Sequence, residues 1–144
     1  MNIFITGANG FVGKYLKKEL FKNRQNKLVL QIKNKKKNNS SQDEYINLDL
    51  ADKKINWDHY LKDIDIVVHL AAKQHKINSN ESLVDYNLIN SEAVKKIIKS
   101  CIKNKVKKFI YLSTIKVFGD KNDIGRAFKF DDKPNPKDYY GISK

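Results

Sequence analysis

Apolar residues in this chain fall into short runs separated by stretches of helical period. Ile3, Phe4 and Ile5 form the first run, apolar on both sides as in a strand buried within a parallel sheet, and Asn2 to Thr6 is predicted as strand one. Phe11, Val12, Tyr15, Leu16, Leu20 and Phe21 then recur at helical spacing with Lys14, Lys17, Lys18 and Glu19 opposite, predicting a helix packed on the sheet. Lys27 to Ile32 reads as strand two and Tyr45 to Leu50 as strand three. Residues 33–42 between them carry no apolar side chain and are predicted to be a solvated loop. Ile55, Trp57, Tyr60 and Leu61 predict a short helix, and Ile64 to Leu70 a fourth strand running into Ala71 and Ala72. Ser82 to Lys105 predicts one long helix with Ala93, Val94, Ile97, Ile98, Cys101 and Ile102 as its apolar stripe, followed by strand five over Lys108 to Leu112. From Gly119 to Tyr139 the chain is loop-like, held extended by Pro134 and Pro136.

Strands alternating with helices predict an α/β fold, a doubly wound parallel sheet. Right-handed crossovers give the strand order 3-2-1-4-5, with a ligand crevice across the carboxyl ends of strands one and four. A length of 144 residues fits a single domain, 1–144, burying roughly two thirds of its unfolded surface.

Thr6-Gly7-Ala8-Asn9-Gly10-Phe11-Val12-Gly13 sits where the first strand must turn into the first helix. A strand that breaks into a tight turn and opens a helix aims backbone N–H groups and the positive end of the helix dipole at one point, which suits a pyrophosphate. Gly7 would permit the turn, Gly10 the approach of the pyrophosphate, and Gly13 close packing of the helix. Taken alone, the three glycines also admit a purely structural turn; the strand before and the helix after favour the cradle.

Charge changes this picture little. Lys and Arg number 29 against 16 Asp and Glu, a formal net charge of +13, but the lysines are spread over helix faces and loops among many asparagines. That is a compositional bias, with no zinc-finger, RRM or KH spacing, so no specific nucleic-acid partner is expected. The single Cys101 excludes a disulfide framework and falls in a helical stripe as a small core residue. His69 lies inside an apolar strand and His75 six residues on has no carboxylate partner, so a core histidine is expected and no metal. Asp131 and Asp132 read as turn chemistry. No apolar run reaches membrane-spanning length and no signal-type segment follows Met1, so a soluble, cytoplasmic protein is expected.

Four stretches in register resemble the extended short-chain dehydrogenase/reductases, in particular the NAD-dependent epimerase/dehydratase family acting on nucleotide sugars. They are TGANGFVG at Thr6, the Asp49-Leu50 pair, HLAA at His69, and KKFIYLSTIKVFG at Lys107 leading to YGISK at Tyr140. The resemblance implies a Rossmann-type sheet that binds NAD or NADP. Under it Gly7, Gly10, Phe11, Val12 and Gly13 form the pyrophosphate turn, and Asp49 and Leu50 contact the adenine. Leu70, Ala71 and Ala72 border the ribose and phosphates, and Asn87 supports the active site from beneath. Asn90 and Ser91 depart from the glycine and threonine of that asparagine's motif. Thr114 takes the place of the catalytic serine or threonine, and Tyr140 with Lys144 that of the catalytic pair, which also touches the cofactor.

The chemistry accounts for these residue types. Tyr140 and Lys144 are four apart and share a helix face, and an ammonium lowers a phenol's pKa from about 10 toward the working range. The phenolate can then take a proton from a sugar hydroxyl as hydride leaves for the nicotinamide, with Thr114 fixing the same oxygen. Taken singly, Tyr140 could be a packing aromatic, Lys144 a solvated charge and Thr114 a strand-end hydroxyl bonding backbone. Ile115 and Lys116 stand where 4,6-dehydratases of the family place an aspartate and a glutamate, which disfavours elimination. The resemblance implies instead a nucleotide-sugar 4-epimerase, similar to those acting on UDP-glucose and UDP-N-acetylglucosamine, or a 4-ketoreductase. The rival is a non-catalytic dinucleotide-binding remnant. No acidic residue stands near Gln31 to Lys33 to mark NAD preference, and the following lysines could accept a 2′-phosphate or be solvated loop. Family members continue well beyond the lysine, so the expectation is an amino-terminal fragment, truncated before the later strands and the substrate domain and inactive alone. Its partners would be a nucleotide sugar in the full-length protein, and a homodimer mate or a separately encoded second half. The single turn from Tyr140 to Lys144 is expected to fray.

Overall fold

The computed structural model describes residues 1–33, 44–74, 81–122 and 125–144. The sequence expectation for 33–42 falls outside these except at Lys33, as does His75. Strands β1 (Asn2–Thr6), β2 (Lys27–Ile32), β3 (Glu44–Asn47), β4 (Ile66–His69) and β5 (Lys108–Tyr111) form one sheet in the order β3-β2-β1-β4-β5. Every pairing is parallel.

β3 is shorter than its apolar pattern predicts. The Leu48 N–H still donates to the Ile32 carbonyl, but the chain then turns on Asp49, whose carboxylate accepts the Ala51 N–H at 3.1 Å and whose carbonyl accepts the Asp52 N–H. Asp49 and Leu50 therefore sit just past the strand, at its carboxyl end.

Strand alternation divides the core between the two faces of the sheet. On one face Ile3, Ile5, Leu28, Leu30 and Val68 meet Leu16, Leu20 and Phe21 of helix α1 (Phe11–Leu20) and its end. On the other, Phe4, Val29 and Val67 pack with Trp57 and Leu61 of α2 (Trp57–Leu61) and with Ala93, Ile97 and Cys101 of α4 (Ala93–Lys103). The buried Cys101 thiol is pushed up to about 11 by desolvation, a small apolar core residue.

Two expectations are corrected here. Phe11 and Tyr15 are 80% and 62% exposed, with Val12 exposed beside them, because the first turn of α1 overhangs the strand ends and the helix reaches the sheet only from Leu16 onward. The predicted single helix is α3 (Leu83–Asn87), a π-helical turn (Leu88–Glu92) and α4 in succession. Ser82 caps it in a reciprocal box with Asp85. Within α4 the buried stripe runs through Ala93, Val94, Ile97, Ser100 and Cys101, and Ile98 and Ile102 fall on its exposed margin. Buried Ser100 donates to Asp58 at 2.5 Å.

β5 is an edge of the sheet. Its Ile110, register partner of Val68 on the α1 side, and the following Leu112 are exposed.

Candidate active site

The carboxyl ends of β1 and β4 open into a cleft of about 1300 Å³. Its floor is the turn between β1 and α1. Gly7 has φ +67°, and a Cβ there would stand 2.8 Å from the backbone of Ala71, so the turn lies directly against the end of β4. At Gly13 a Cβ would come within 2.4 Å of the Gly7 carbonyl oxygen, which only a glycine permits at this closeness of helix and turn. Gly10 is different: its added Cβ would meet only the Gly7 carbonyl, at 3.1 Å. It is the N-cap of α1, with no side chain capping that end and no acidic residue in the first turn. The leading N–H groups of a helix lack intrahelical acceptors, so this end presents donors and partial positive charge to an anion.

The turn is tied from both flanks. Gln31, buried at the end of β2, accepts the Gly7 N–H on Oε1 at 2.9 Å and donates from Nε2 to the Leu48 carbonyl at 2.6 Å, joining turn, β2 and β3. On the other flank the Thr6 hydroxyl oxygen accepts the N–H groups of Leu70 and Ala71 at 3.2 and 3.1 Å. Two accepted bonds leave its proton to donate to His69 Nδ1, 3.0 Å away. His69 is fully buried between these groups and the Phe109 and Tyr111 rings, and burial, with the Lys144 charge adding, lowers its pKa to about 4. It is a neutral core histidine. Among the described residues no group of three or more His, Cys, Asp or Glu could hold a metal.

Gly7, Gly10, Phe11, Val12 and Gly13 line the cleft from the turn, and Asp49 and Leu50 from beyond β3. Leu70, Ala71 and Ala72 line it from the end of β4, and Tyr140 and Lys144 from α5 (Tyr139–Ser143). Asn87 and Thr114 are not among the lining residues. Asn87 closes α3, three residues ahead of Asn90, which the π turn carries inward. Asn90 is buried, accepts the Lys73 N–H at 2.7 Å, and donates to the Lys73 carbonyl at 3.0 Å and the Ser143 hydroxyl at 2.9 Å. It thus joins the loop after β4 to α5. Thr114 caps the 3₁₀ turn Ile115–Phe118 by accepting the Lys116 N–H at 3.4 Å, while the neighbouring Ser113 lines the cleft.

α5 is a formed turn where fraying is expected of an isolated one. Asp138 caps it, accepting the Gly141 N–H at 2.6 Å, and the Lys116 ammonium lies 2.7 Å from the same carboxylate. Gly141 is buried so closely that a Cβ would meet the Lys116 carbonyl oxygen at 2.6 Å. Tertiary contacts here replace helix length as the source of order.

The Lys144 ammonium donates to the Leu112 carbonyl at 2.6 Å and lies 4.1 Å from the centre of the Tyr111 ring. Burial lowers its pKa to about 8. The Tyr111 phenol is raised, by burial first and then by Tyr140. Lys144, Tyr111, His69 and Thr6 thus form a row across the ends of β5, β4 and β1, from the tyrosine-lysine pair to the glycine turn.

No helix among the described residues is long and apolar enough to cross a membrane. Residues 3–144 match the family described as NAD dependent epimerase/dehydratase. A UDP-glucose 4-epimerase of Vibrio cholerae is 33% identical, aligned to 99% of this chain and 44% of its own length. A UDP-N-acetylglucosamine 4,6-dehydratase (inverting) of Campylobacter jejuni is 31% identical over 92% of this chain and 42% of its own. The UDP-glucuronic acid 4-epimerase of Bacillus cereus, solved in complex with UDP-glucuronic acid and NAD, superposes with a TM-score of 0.84 at 28% identity, covering 100% of this chain and 49% of that one. The chain spans less than half the length of the curated relatives it matches.

Proposed function

Given that this chain belongs to the NAD dependent epimerase/dehydratase family, we propose that it is the dinucleotide-binding portion of a nucleotide-sugar 4-epimerase. The observation that carries this reading is one cleft with an uncapped helix end and the glycine turn on its floor and Tyr140 and Lys144 on its wall. The glycine turn fits a pyrophosphate, since Gly10 leaves open the approach that a side chain would narrow. Gly7, Gly10 and the first amides of α1 would hold that group, Asp49 and Leu50 its adenosine end, and Leu70 to Ala72 its middle. A nicotinamide bound there supplies the acceptor and donor of hydride.

The chain's own residues would do the rest. Tyr140 takes the proton from the sugar hydroxyl and returns it. Lys144, cationic below about pH 8 and held by the Leu112 carbonyl, adds a positive charge to the same wall. Thr114, next to the lining Ser113 though not itself on the cleft surface, has its O–H left over by its described bond and would need to turn toward the cleft to donate to the same sugar oxygen. Asn90 holds α5, and so Tyr140, at a fixed distance from the end of β4. Elimination lacks its acid and base: Ile115 is exposed, and Lys116 is paired with Asp120 and Asp138. A 4-ketoreductase would use the same groups in one direction, with the reduced dinucleotide supplying hydride to the 4-keto carbon and Tyr140 giving a proton to its oxygen.

The rival reading, a dinucleotide-binding module without turnover of its own, shares the cradle and draws on the open edge of β5. Exposed Ile110 and Leu112 there would receive a second segment or a second chain that continues the sheet and grips the sugar. The test is an interconversion assay of UDP-glucose and UDP-galactose, and of their N-acetylated forms. It compares these 144 residues alone with a fusion to the part of the Vibrio cholerae relative they do not cover. Turnover only in the fusion, lost on Tyr140→Phe, is the expected result; a fusion that binds dinucleotide but never turns over favours the rival, and turnover by the 144 residues alone refutes the reading.

A further inference from the structure

Tyr111 stands at the carboxyl end of β5, where its register partner on β4 is His69, itself the partner of Thr6 on β1. Partners in register point to the same face of a sheet, and the Tyr111 ring stacks on the His69 ring with centroids 5.9 Å and planes 15° apart. His69 is buried and bonded to the Thr6 hydroxyl at 3.0 Å, so the tyrosine ring rests on a neighbour that is itself held. Over this ring sits the Lys144 ammonium, 4.1 Å from its centroid, which also donates to the Leu112 carbonyl at 2.6 Å. Leu112 is kept in place by its own N–H, which donates to the His69 carbonyl at 3.3 Å. A carbonyl dipole and the negative face of a ring are thus the described partners of this cation, and a ring face attracts an ammonium most where both are shielded from water. Lys144 and Tyr111 are both half-buried.

Resting on the reading of Tyr140 and Lys144 as the reactive pair, we propose that Tyr111 is a positioning residue of this site: its ring, backed by His69, seats the Lys144 ammonium at the end of β5 and keeps it a cation on the cleft wall. Burial lowers Lys144 to about 8, and a wall of the same shape without the ring face would lower it further. The titratable groups around the seat are His69 of β4, Tyr111 itself, and Tyr140 of α5, whose charge raises the Tyr111 phenol. His69, lowered to about 4, is neutral and Tyr111 keeps its proton while Lys144 titrates. The ring face does the work and the hydroxyl does not, so phenylalanine should replace this tyrosine where leucine fails.

The experiment is a pH titration of the chain followed by NMR of labelled lysine side chains, in the native sequence, in Tyr111→Phe and in Tyr111→Leu, with the Lys144 signal identified by its loss in Lys144→Arg. The expected native result is a Lys144 ε-methylene displaced upfield by the ring current, with a midpoint of about 8. Tyr111→Phe should keep both features. Tyr111→Leu should abolish the displacement and lower the midpoint by about 0.5 to 1.5 pH units. A midpoint that stays put in Tyr111→Leu, or rises toward 10.5 as water enters, shows a filler and not a seat and overturns the proposal. Loss of either feature in Tyr111→Phe overturns it too, as does a native Lys144 signal without the upfield displacement, which is read with no substitution at all. Turnover is read separately by the fusion assay, and its failure with the ring seat intact overturns the reactive-pair reading alone.

Discussion

The two walls of the cleft are built on different principles. The glycine-turn wall is fixed by backbone: Gly7 and Gly13 bring β1, α1 and the end of β4 within contact distances that no side chain survives, and Gln31 and Thr6 stitch the turn to its neighbours from buried positions. The α5 wall is fixed by side chains reaching from elsewhere, through the Asp138 cap, the Asn90 bond to Ser143 and the Lys144 bond to Leu112. The first wall is therefore part of the fold itself, and the second is an attachment to it. A fold organised this way can keep a dinucleotide site while the reactive pair depends on whatever else packs around α5.

The sharpest way to break this contrast is to put the same β-branched side chain at the tight glycine of each wall. Gly13→Val forces a Cβ into the Gly7 carbonyl and should cost more than about 3 kcal/mol, read as a collapse of the urea midpoint. Gly141→Val meets the Lys116 carbonyl almost as closely but should release α5 alone, with amide exchange rising over 139–143 and the global midpoint nearly unchanged. Equal global losses would show α5 to be as integral as the turn.

A pH titration sharpens the comparison next. His69 belongs to the row that ties the walls together, and its folded pKa of about 4 lies below the ordinary value of 6.5. The unfolded chain therefore binds the proton first, so stability should be full above about pH 6.5 and fall as the pH drops toward 4, by up to about 3 kcal/mol. Urea unfolding at pH 7 and pH 4.5 measures the fall, and His69→Leu should flatten the part that this residue carries. Lys144 works in the same sense over a higher window: its pKa, lowered to about 8 from 10.5, is a cost present in full below pH 8 and relieved as the pH rises toward its ordinary value.

Smaller, but more specific to α5, is the effect of Asn90. Asn90→Ala leaves the Lys73 N–H and carbonyl and the Ser143 hydroxyl without this partner, and should cost about 2 kcal/mol. Asn87→Ala, at a partly exposed helix end, should stay within about 0.5 kcal/mol. The reverse order would assign the supporting role to Asn87.

What could be read from the sequence follows the same division. The strands, their order and the glycine turn are local consequences of apolar period and glycine spacing, and they stand where the pattern puts them except that β3 ends early, at Asn47. The contacts of the α5 wall are not local. Asn90 lies inward within one wide π turn, which no period in the sequence announces, and there bonds Lys73 and Ser143 three residues on from Asn87. Thr114 stands in the family register, yet its hydroxyl caps a 3₁₀ turn while Ser113 lines the cleft. Gln31 was legible only as the absence of an acid, whereas its burial makes it the bracket between the turn and β3. Phe11 and Tyr15 fit the helical stripe but lie beyond the strand ends, where there is no sheet to bury them.

The most direct measurement is the affinity of the folded chain for dinucleotide, by calorimetry with NAD⁺ and NADP⁺, in the native sequence, in Gly10→Val and in Tyr140→Phe. Gly10 has an ordinary φ of −67°, so the valine should leave the circular dichroism spectrum intact while filling the approach to the helix end. Binding in the native chain and in Tyr140→Phe, with none in Gly10→Val, is the expected result; equal affinity in the native and Gly10→Val proteins would contradict the cradle.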